Sequence, residues 1–389
     1  MINIYNNYIK IEFLLCLLIL IFIIFGKLSL VSLCFTTTFI ILFITLICHF
    51  LYFKSRDLNL LLLFLLVIVS MLNVFVNLMW SSSSILVGFN YVNKIIIFFT
   101  TIFSFYIVTV FNIDKKTHQF ISWIPVIMGF ILILSYYFFN NKNTYGYGIT
   151  LGFNNSNFTA MWLIHLFFYG IYCLFNTKKL YLKLFCIICN ILIINLIILT
   201  NARACIGGIC CFGILLLYGF VKKKYKLSII SICIILLFPI IFAIIYIHAS
   251  YYLMFTSNFD FVVSEGKEIT SRFGVWSFAF SHFLDHWLTG DYFGISYGTG
   301  LSQMHNIHLD ILASYGILPF ILFIIFIFFI IRNLNSNILR FSNYIGLISF
   351  LTIILVGTFE ASFVSGSTGL NFLTSGFLLL SKNITNKFS

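Results

Sequence analysis

The chain has 389 residues, of which 61% are hydrophobic, 20% aromatic and only 8% charged, with a mean hydropathy of +1.10. A globular surface carries about 25% charged residues to stay wet, so this composition excludes a soluble enzyme. The scarcity of proline, at 3, with 23 glycines also excludes collagen-like and disordered classes. The 22 basic and 10 acidic residues give a formal charge of +12, which in a membrane chain reads as an orientation signal rather than a nucleic-acid footprint.

Apolar stretches of membrane length predict twelve spans: 9–26, 29–53, 58–79, 92–112, 119–139, 157–175, 180–200, 203–221, 227–249, 309–331, 343–362 and 366–381. Basic residues fall in every second link: Lys54 and Arg56, Lys115 and Lys116, Lys178, Lys179 and Lys183, Lys222 to Lys224 with Lys226, Arg332 and Arg340, and the tail lysines Lys382 and Lys387. The positive-inside rule makes those links and both termini cytoplasmic. The expected fold is therefore an all-α polytopic membrane protein, a single integral domain over 1–389, with one large extracytoplasmic loop at 250–308 between spans 9 and 10. The first span follows Lys10 and lacks a small-residue cleavage site, so it reads as an uncleaved anchor.

Six basic residues remain on the outer side: Lys27, Lys94, Lys142, Arg203, Lys267 and Arg272. Each needs a cause other than topology. All 10 cysteines lie at or before Cys233, so the outer loop is not built on disulfides. Cys186-x-x-Cys189 lies inside the seventh span and lacks the second ligand pair of a metal site. The two halves show no convincing repeat, which weakens a transporter reading.

In chain order, the outer link 140–157 comes first, with Tyr145, Tyr147, Asn154, Asn155 and Asn157. Tyrosine faces and asparagine amides suit sugar hydroxyls; an interfacial aromatic belt is the alternative. Next is Arg203, in Thr200-Asn201-Ala202-Arg203-Ala204 at an outer junction of two spans. Its guanidinium fork matches phosphate oxygens, whereas the alternative is a side chain snorkelling to headgroups. The loop then predicts an amphipathic helix over 271–288, with Phe273, Trp276, Phe280, Phe283, Leu284 and Trp287 on one face and His282, Asp285 and His286 on the other. That helix is expected to lie in the membrane interface, aromatic face down. Arg272 at its start pairs with Arg203 as a second outer cation, and two arginines can grip a pyrophosphate and stabilise it as a leaving group.

His305 precedes the tenth span, where a neutral imidazole could accept a hydroxyl proton or orient a hydroxyl; the alternative is polar trim at the interface. Gly316 follows eleven residues later, three turns below it on the same helical face, where a glycine lets a lipid chain or another helix approach closely. His308 and Asp310 either orient His305 or cap the helix. Glu360 is an intramembrane carboxylate and so a candidate base, unless the span ends beside it. No nucleotide or metal motif is present in the sequence.

Taken in order, these segments resemble the O-antigen ligase and O-antigen polymerase superfamily of bacterial membranes. Gly152-Phe153-Asn154-Asn155-Ser156-Asn157 resembles its asparagine-containing segment, and Asn201-Ala202-Arg203-Ala204 its Ser-Arg motif. Ser271-Arg272 with Trp276, through His286-Trp287-Leu288-Thr289-Gly290, resembles its loop helix and Pro-Leu-x-Gly turn. His305-Asn306 followed by Gly316 resembles its histidine motif. Asn201, Trp276 and His286-Trp287 depart from the usual residues in ways that weaken the ligase branch more than the superfamily.

The resemblance implies an inverting, metal-independent glycosyl transfer from a polyprenyl-diphosphate-linked glycan, with no cofactor, at a site facing the periplasm from the bacterial inner membrane. Arg203 and Arg272 would hold the diphosphate and His305 would be catalytic with them, leaving Glu360 and Asp310 as possible bases. Asn157, Tyr147, His286 and Asn306 would contact glycan. The leading function is a repeat-unit polymerase of O-antigen or capsule. The alternatives are the ligase that hands polymer to lipid A-core, and a flippase for lipid-linked oligosaccharide. The implied partners are the undecaprenyl-diphosphate-linked oligosaccharide, a chain-length regulator and a flippase, without nucleic acid.

Overall fold

The computed structural model describes residues 2–24, 58–80, 85–110, 113–139, 143–145, 148–153, 155–223, 225–255, 267–291, 304–360 and 368–382. Helices cover eleven of the twelve apolar stretches, and the remaining one, 29–53, lies outside the described residues. In chain order they are α1 (Ile2–Ile24), α2 (Leu58–Trp80), α3 (Ile85–Val110), α4 (Lys115–Tyr137), α5 (Ser156–Asn176), α6 (Leu180–Leu199), α7 (Arg203–Lys222) and α8 (Ile229–Phe255). Then follow α9 (Lys267–Asp285), α10 (Ile307–Tyr315), α11 (Ile317–Ser336), α12 (Phe341–Val356) and α13 (Thr368–Leu380). A two-residue hairpin, β1 (Thr144–Tyr145) with β2 (Gly148–Ile149), closes the link before α5. Among the described residues, seven helices are long and apolar enough to cross a membrane, and three shorter apolar stretches lie in α3, α12 and α13. Apart from the β1–β2 hairpin, the described residues in regular structure are helical, as in a multi-pass membrane protein.

The packing follows the distribution of apolar residues around each helix. In α5 every residue from Thr159 to Gly170 is buried, as expected of a helix apolar all round, and α4, α6 and α12 pack against it. Gly170 lets Asn190 of α6 approach to a distance that no Cβ would permit. By contrast α6, α7 and α8 turn Ile188, Ile191, Ile214, Leu217, Ile234 and Ile245 outward, an apolar belt suited to lipid.

Two departures from the sequence reading shape the outer end. Spacing alone predicts one helix running through Gly316; the structure breaks it there, at φ +87° and ψ −179°, into the short buried α10 and the long α11. This conformation belongs almost exclusively to glycine. The break receives the turn that ends α9: Leu288 O lies against Gly316 Cα, Ile317 N donates to Trp287 O at 2.9 Å, and Asp291 N donates to Ala313 O at 2.8 Å. Gly316 is thus a docking point for the 286–291 turn rather than a gap below His305.

The second departure concerns α9. Its aromatic face closes on protein instead of lying on lipid. Trp276 is 1% exposed, packs edge-on to Phe242 and Tyr246 of α8, and donates Nε1–H to Met304 O at 2.7 Å. Only Leu284 and Trp287 of the expected face remain exposed.

Gly316→Ala would force an L residue into the glycine-only region, at about 1–3 kcal/mol, and also drive its Cβ into the Leu288 carbonyl. The expected result is a clearly lowered melting temperature of the detergent-purified protein, whereas Gly207→Ala, whose Cβ meets open space, leaves it unchanged.

Candidate functional site

Between α6 and α7 the chain reverses in a tight turn. Thr200 ends α6 with its hydroxyl donating to Ile197 O, and Asn201 takes the left-handed conformation at φ +57°, which its short amide side chain tolerates. Arg203 then opens α7 and is exposed. Its N-cap Ala202 offers no side-chain acceptor, so the first-turn N–H groups and the guanidinium present positive charge at the same end. Gly148 of the hairpin lies against Thr200 O more closely than any Cβ would allow. The asparagine-rich outer link is thereby packed beside the Arg203 turn.

Glu360 stands at the end of the turn that follows α12 and is 4% exposed. Its Oε1 accepts from Arg272 Nη2 at 2.8 Å, and its Oε2 lies 3.7 Å from His305 Nδ1. One buried carboxylate therefore joins the loop arginine to the histidine. The Glu360 position is set by Asn306, whose Nδ2 donates to Thr358 O at 3.1 Å and to Pro239 O of α8 at 2.9 Å, while Ile307 N donates to Gly357 O. The same side chain caps α10, its Oδ1 accepting from His308 N and Leu309 N. His305 is held at φ +50°, a strained conformation for a residue with a Cβ.

Arg203, Arg272 and Glu360 line the polar end of one cavity of about 620 Å³. The rest of its wall is apolar or small: Gly207 and Gly208 of α7, Ile234 and Phe238 of α8, Val356 and Phe359 near the end of α12. Two arginines, one of them bonded to Glu360, on an otherwise apolar cavity wall suit an amphiphile with an anionic head.

Behind this site lies a buried ion pair that sequence reasoning did not connect. Lys94 Nζ of α3 sits 2.6 Å from Asp310 Oδ1 and donates to Ser314 Oγ at 2.9 Å. The same Asp310 oxygen accepts from Met304 N at 3.3 Å, and Met304 O accepts from Trp276. Met304 is therefore held from one side by α10 and from the other by α9, with His305 next in the chain and Arg272 one turn before Trp276. The contrary charge of Lys94 on the outer side was the available signal; its partner 216 residues away was not readable from spacing.

Residues 188–324 match the family model described as O-antigen ligase. That segment, about a third of the chain, is similar to the O-antigen ligase family. No curated protein and no solved structure matches the chain. The O-antigen ligase segment runs from within α6 into α11 and contains Arg203, Arg272 and His305, whereas Lys94 and Glu360 lie outside it. The match supports the resemblance to the O-antigen ligase and polymerase superfamily over this segment.

The remaining sequence candidates are dispersed. Asn157 is half-buried in the first turn of α5, and Tyr147 lies outside the described residues. Asn306 is fully buried with both ends of its amide engaged by protein groups. His286 is exposed beyond the end of α9, roughly 20 Å along the helix from Arg272 at 1.5 Å per residue. Asp310 is 1% exposed and bonded to Lys94.

Lys94→Met leaves the Asp310 carboxylate buried without its cation, a change that costs about 3–5 kcal/mol, whereas replacing both members by apolar residues is often neutral. Thermal unfolding should show a large loss for Lys94→Met and recovery in Lys94→Met/Asp310→Leu; additive losses would contradict the pairing.

Proposed function

We propose that the protein is a repeat-unit polymerase of O-antigen or capsular polysaccharide. It transfers the growing glycan from undecaprenyl diphosphate to the terminal sugar of a new lipid-linked unit, at a site facing the periplasm from the bacterial inner membrane. The observation that carries this reading is the junction of two arginines, a glutamate and, through that glutamate, a histidine at the polar end of an apolar cavity.

The polyprenyl chain lies along α7 and α8, where Gly207 leaves room, and the diphosphate meets Arg203 and Arg272. The acceptor hydroxyl oxygen attacks the donor's anomeric carbon from the face opposite the diphosphate. A new glycosidic C–O bond forms as the C–O bond to phosphate breaks, inverting the configuration, and the bonding electrons leave with the diphosphate. The arginines offset that growing charge. His305 takes the hydroxyl proton, and Glu360 orients its ring and balances the imidazolium. No metal is needed in this scheme, because two guanidinium groups supply the positive charge at the leaving group. Tyr147 and Asn157, on the outer link, are proposed to contact the glycan, and a chain-length regulator and a flippase are proposed as partners.

The ligase reading shares the donor and differs in the acceptor, lipid A-core. Surface polysaccharide from a deletion strain, run on a gel, separates the two. A single repeat unit left on lipid A-core is the polymerase result; loss of all attached sugar, with polymer held on the carrier, is the ligase result. Units trapped on the cytoplasmic side would overturn the transferase reading. In the complemented strain, Arg203→Ala, Arg272→Ala and His305→Ala should each abolish polymer at normal protein level, and full activity in any of them removes that residue from the mechanism.

A further inference from the structure

At the other end of α9 from Arg272, three side chains outside the proposed reaction converge. His282 Nδ1 lies 2.8 Å from Asp291 Oδ2, His286 Nδ1 lies 3.9 Å from the same oxygen, and ligand atoms of the three fall within 4.8 Å of one another. The two histidines stand at i and i+4, one turn apart, and their rings are within 12° of parallel. Asp291 comes back to them because Gly290, at φ +70°, turns the chain against the Ala313 carbonyl and the Gly316 nitrogen.

We propose that His282, His286 and Asp291 bind a divalent cation of zinc type, which clamps the end of α9 to the α10–α11 break. Two imidazoles and one carboxylate with the fourth position open to water form a common zinc donor set. Bonds of about 2.0–2.1 Å in a tetrahedron set ligands roughly 3.3 Å apart, and the observed 2.8 Å and 3.9 Å bracket that value. Small rotations of two side chains that are partly exposed close the site. His286 Nδ1 gives up a contact of 3.3 Å to His282 O in doing so, and the Phe278 ring, 4.3 Å from that of His282 between centroids, limits how far His282 swings.

The consequence is mechanical. Asp291 N donates to Ala313 O, so a metal on its carboxylate ties α9 to α10, the helix that begins two residues after His305. The ion sits about 15 Å along α9 from Arg272 and takes no part in the transfer. The simpler arrangement is a hydrogen-bonded histidine–aspartate cap on the helix C-terminus, stabilised by the helix dipole and without any ion.

Co²⁺ distinguishes the two in the purified, tag-free full-length protein. The expected result is one Co²⁺ per chain with the strong visible absorption of a four-coordinate N/O site, displaced by Zn²⁺, and a Zn²⁺-dependent rise in melting temperature. His286→Ala and His282→Gln should both lose the band; the glutamine retains a hydrogen bond to Asp291, so that variant keeps the turn intact. An absent band in the wild type, or a band unchanged in both variants, overturns the proposal. Neither outcome bears on the arginine site, because the readout is metal binding rather than glycan transfer.

Discussion

A carboxylate at the end of an apolar helix cannot remain without partners, because desolvation of a lone charge outweighs anything the surrounding side chains return. Glu360 meets that constraint through the Arg272 guanidinium, bonded to Oε1, while Oε2 lies 3.7 Å from His305 Nδ1. The arrangement draws together three segments distant in sequence: the start of α9, the residue before Asn306, and the turn after α12. Asn306 then locks the last two through Thr358 and Pro239. This end of the helical bundle is organised around this one buried acid.

The same contact gives the site a natural order of events. Arg272 is bonded to Glu360, so in the proposed mechanism a diphosphate competes with that carboxylate for the guanidinium. Arg203 needs no such exchange, because it stands exposed at the head of α7. Behind them the Lys94–Asp310 pair and the Met304 clamp keep α9 and His305 in fixed relation.

The apolar helices were legible because about 20 consecutive apolar residues have few other uses, and Arg203 and Arg272 stood out because outer cations break the charge pattern. The aromatic face of α9 was also readable from periodicity, but not what covers it: Trp276 packs on Phe242 and Tyr246 and bonds to Met304, contacts that depend on how α8 and α10 are placed. The break at Gly316 was missed because helical spacing on either side is intact, and only the docked Leu288 carbonyl explains why glycine stands there. Glu360 was one candidate base among several; its link to Arg272 across 88 residues emerges only from the fold.

The central claim is that Arg203 and Arg272 hold a lipid diphosphate at the mouth of the apolar cavity. It is tested most directly by the affinity of the purified protein for undecaprenyl diphosphate compared with undecaprenol, which has the same chain and no phosphate. A charge-assisted contact is worth about 1.5–3 kcal/mol, so Arg203→Ala and Arg272→Ala should each weaken diphosphate binding roughly 10- to 100-fold and leave undecaprenol binding unchanged. Equal affinity for the diphosphate in wild type and both variants would contradict the account.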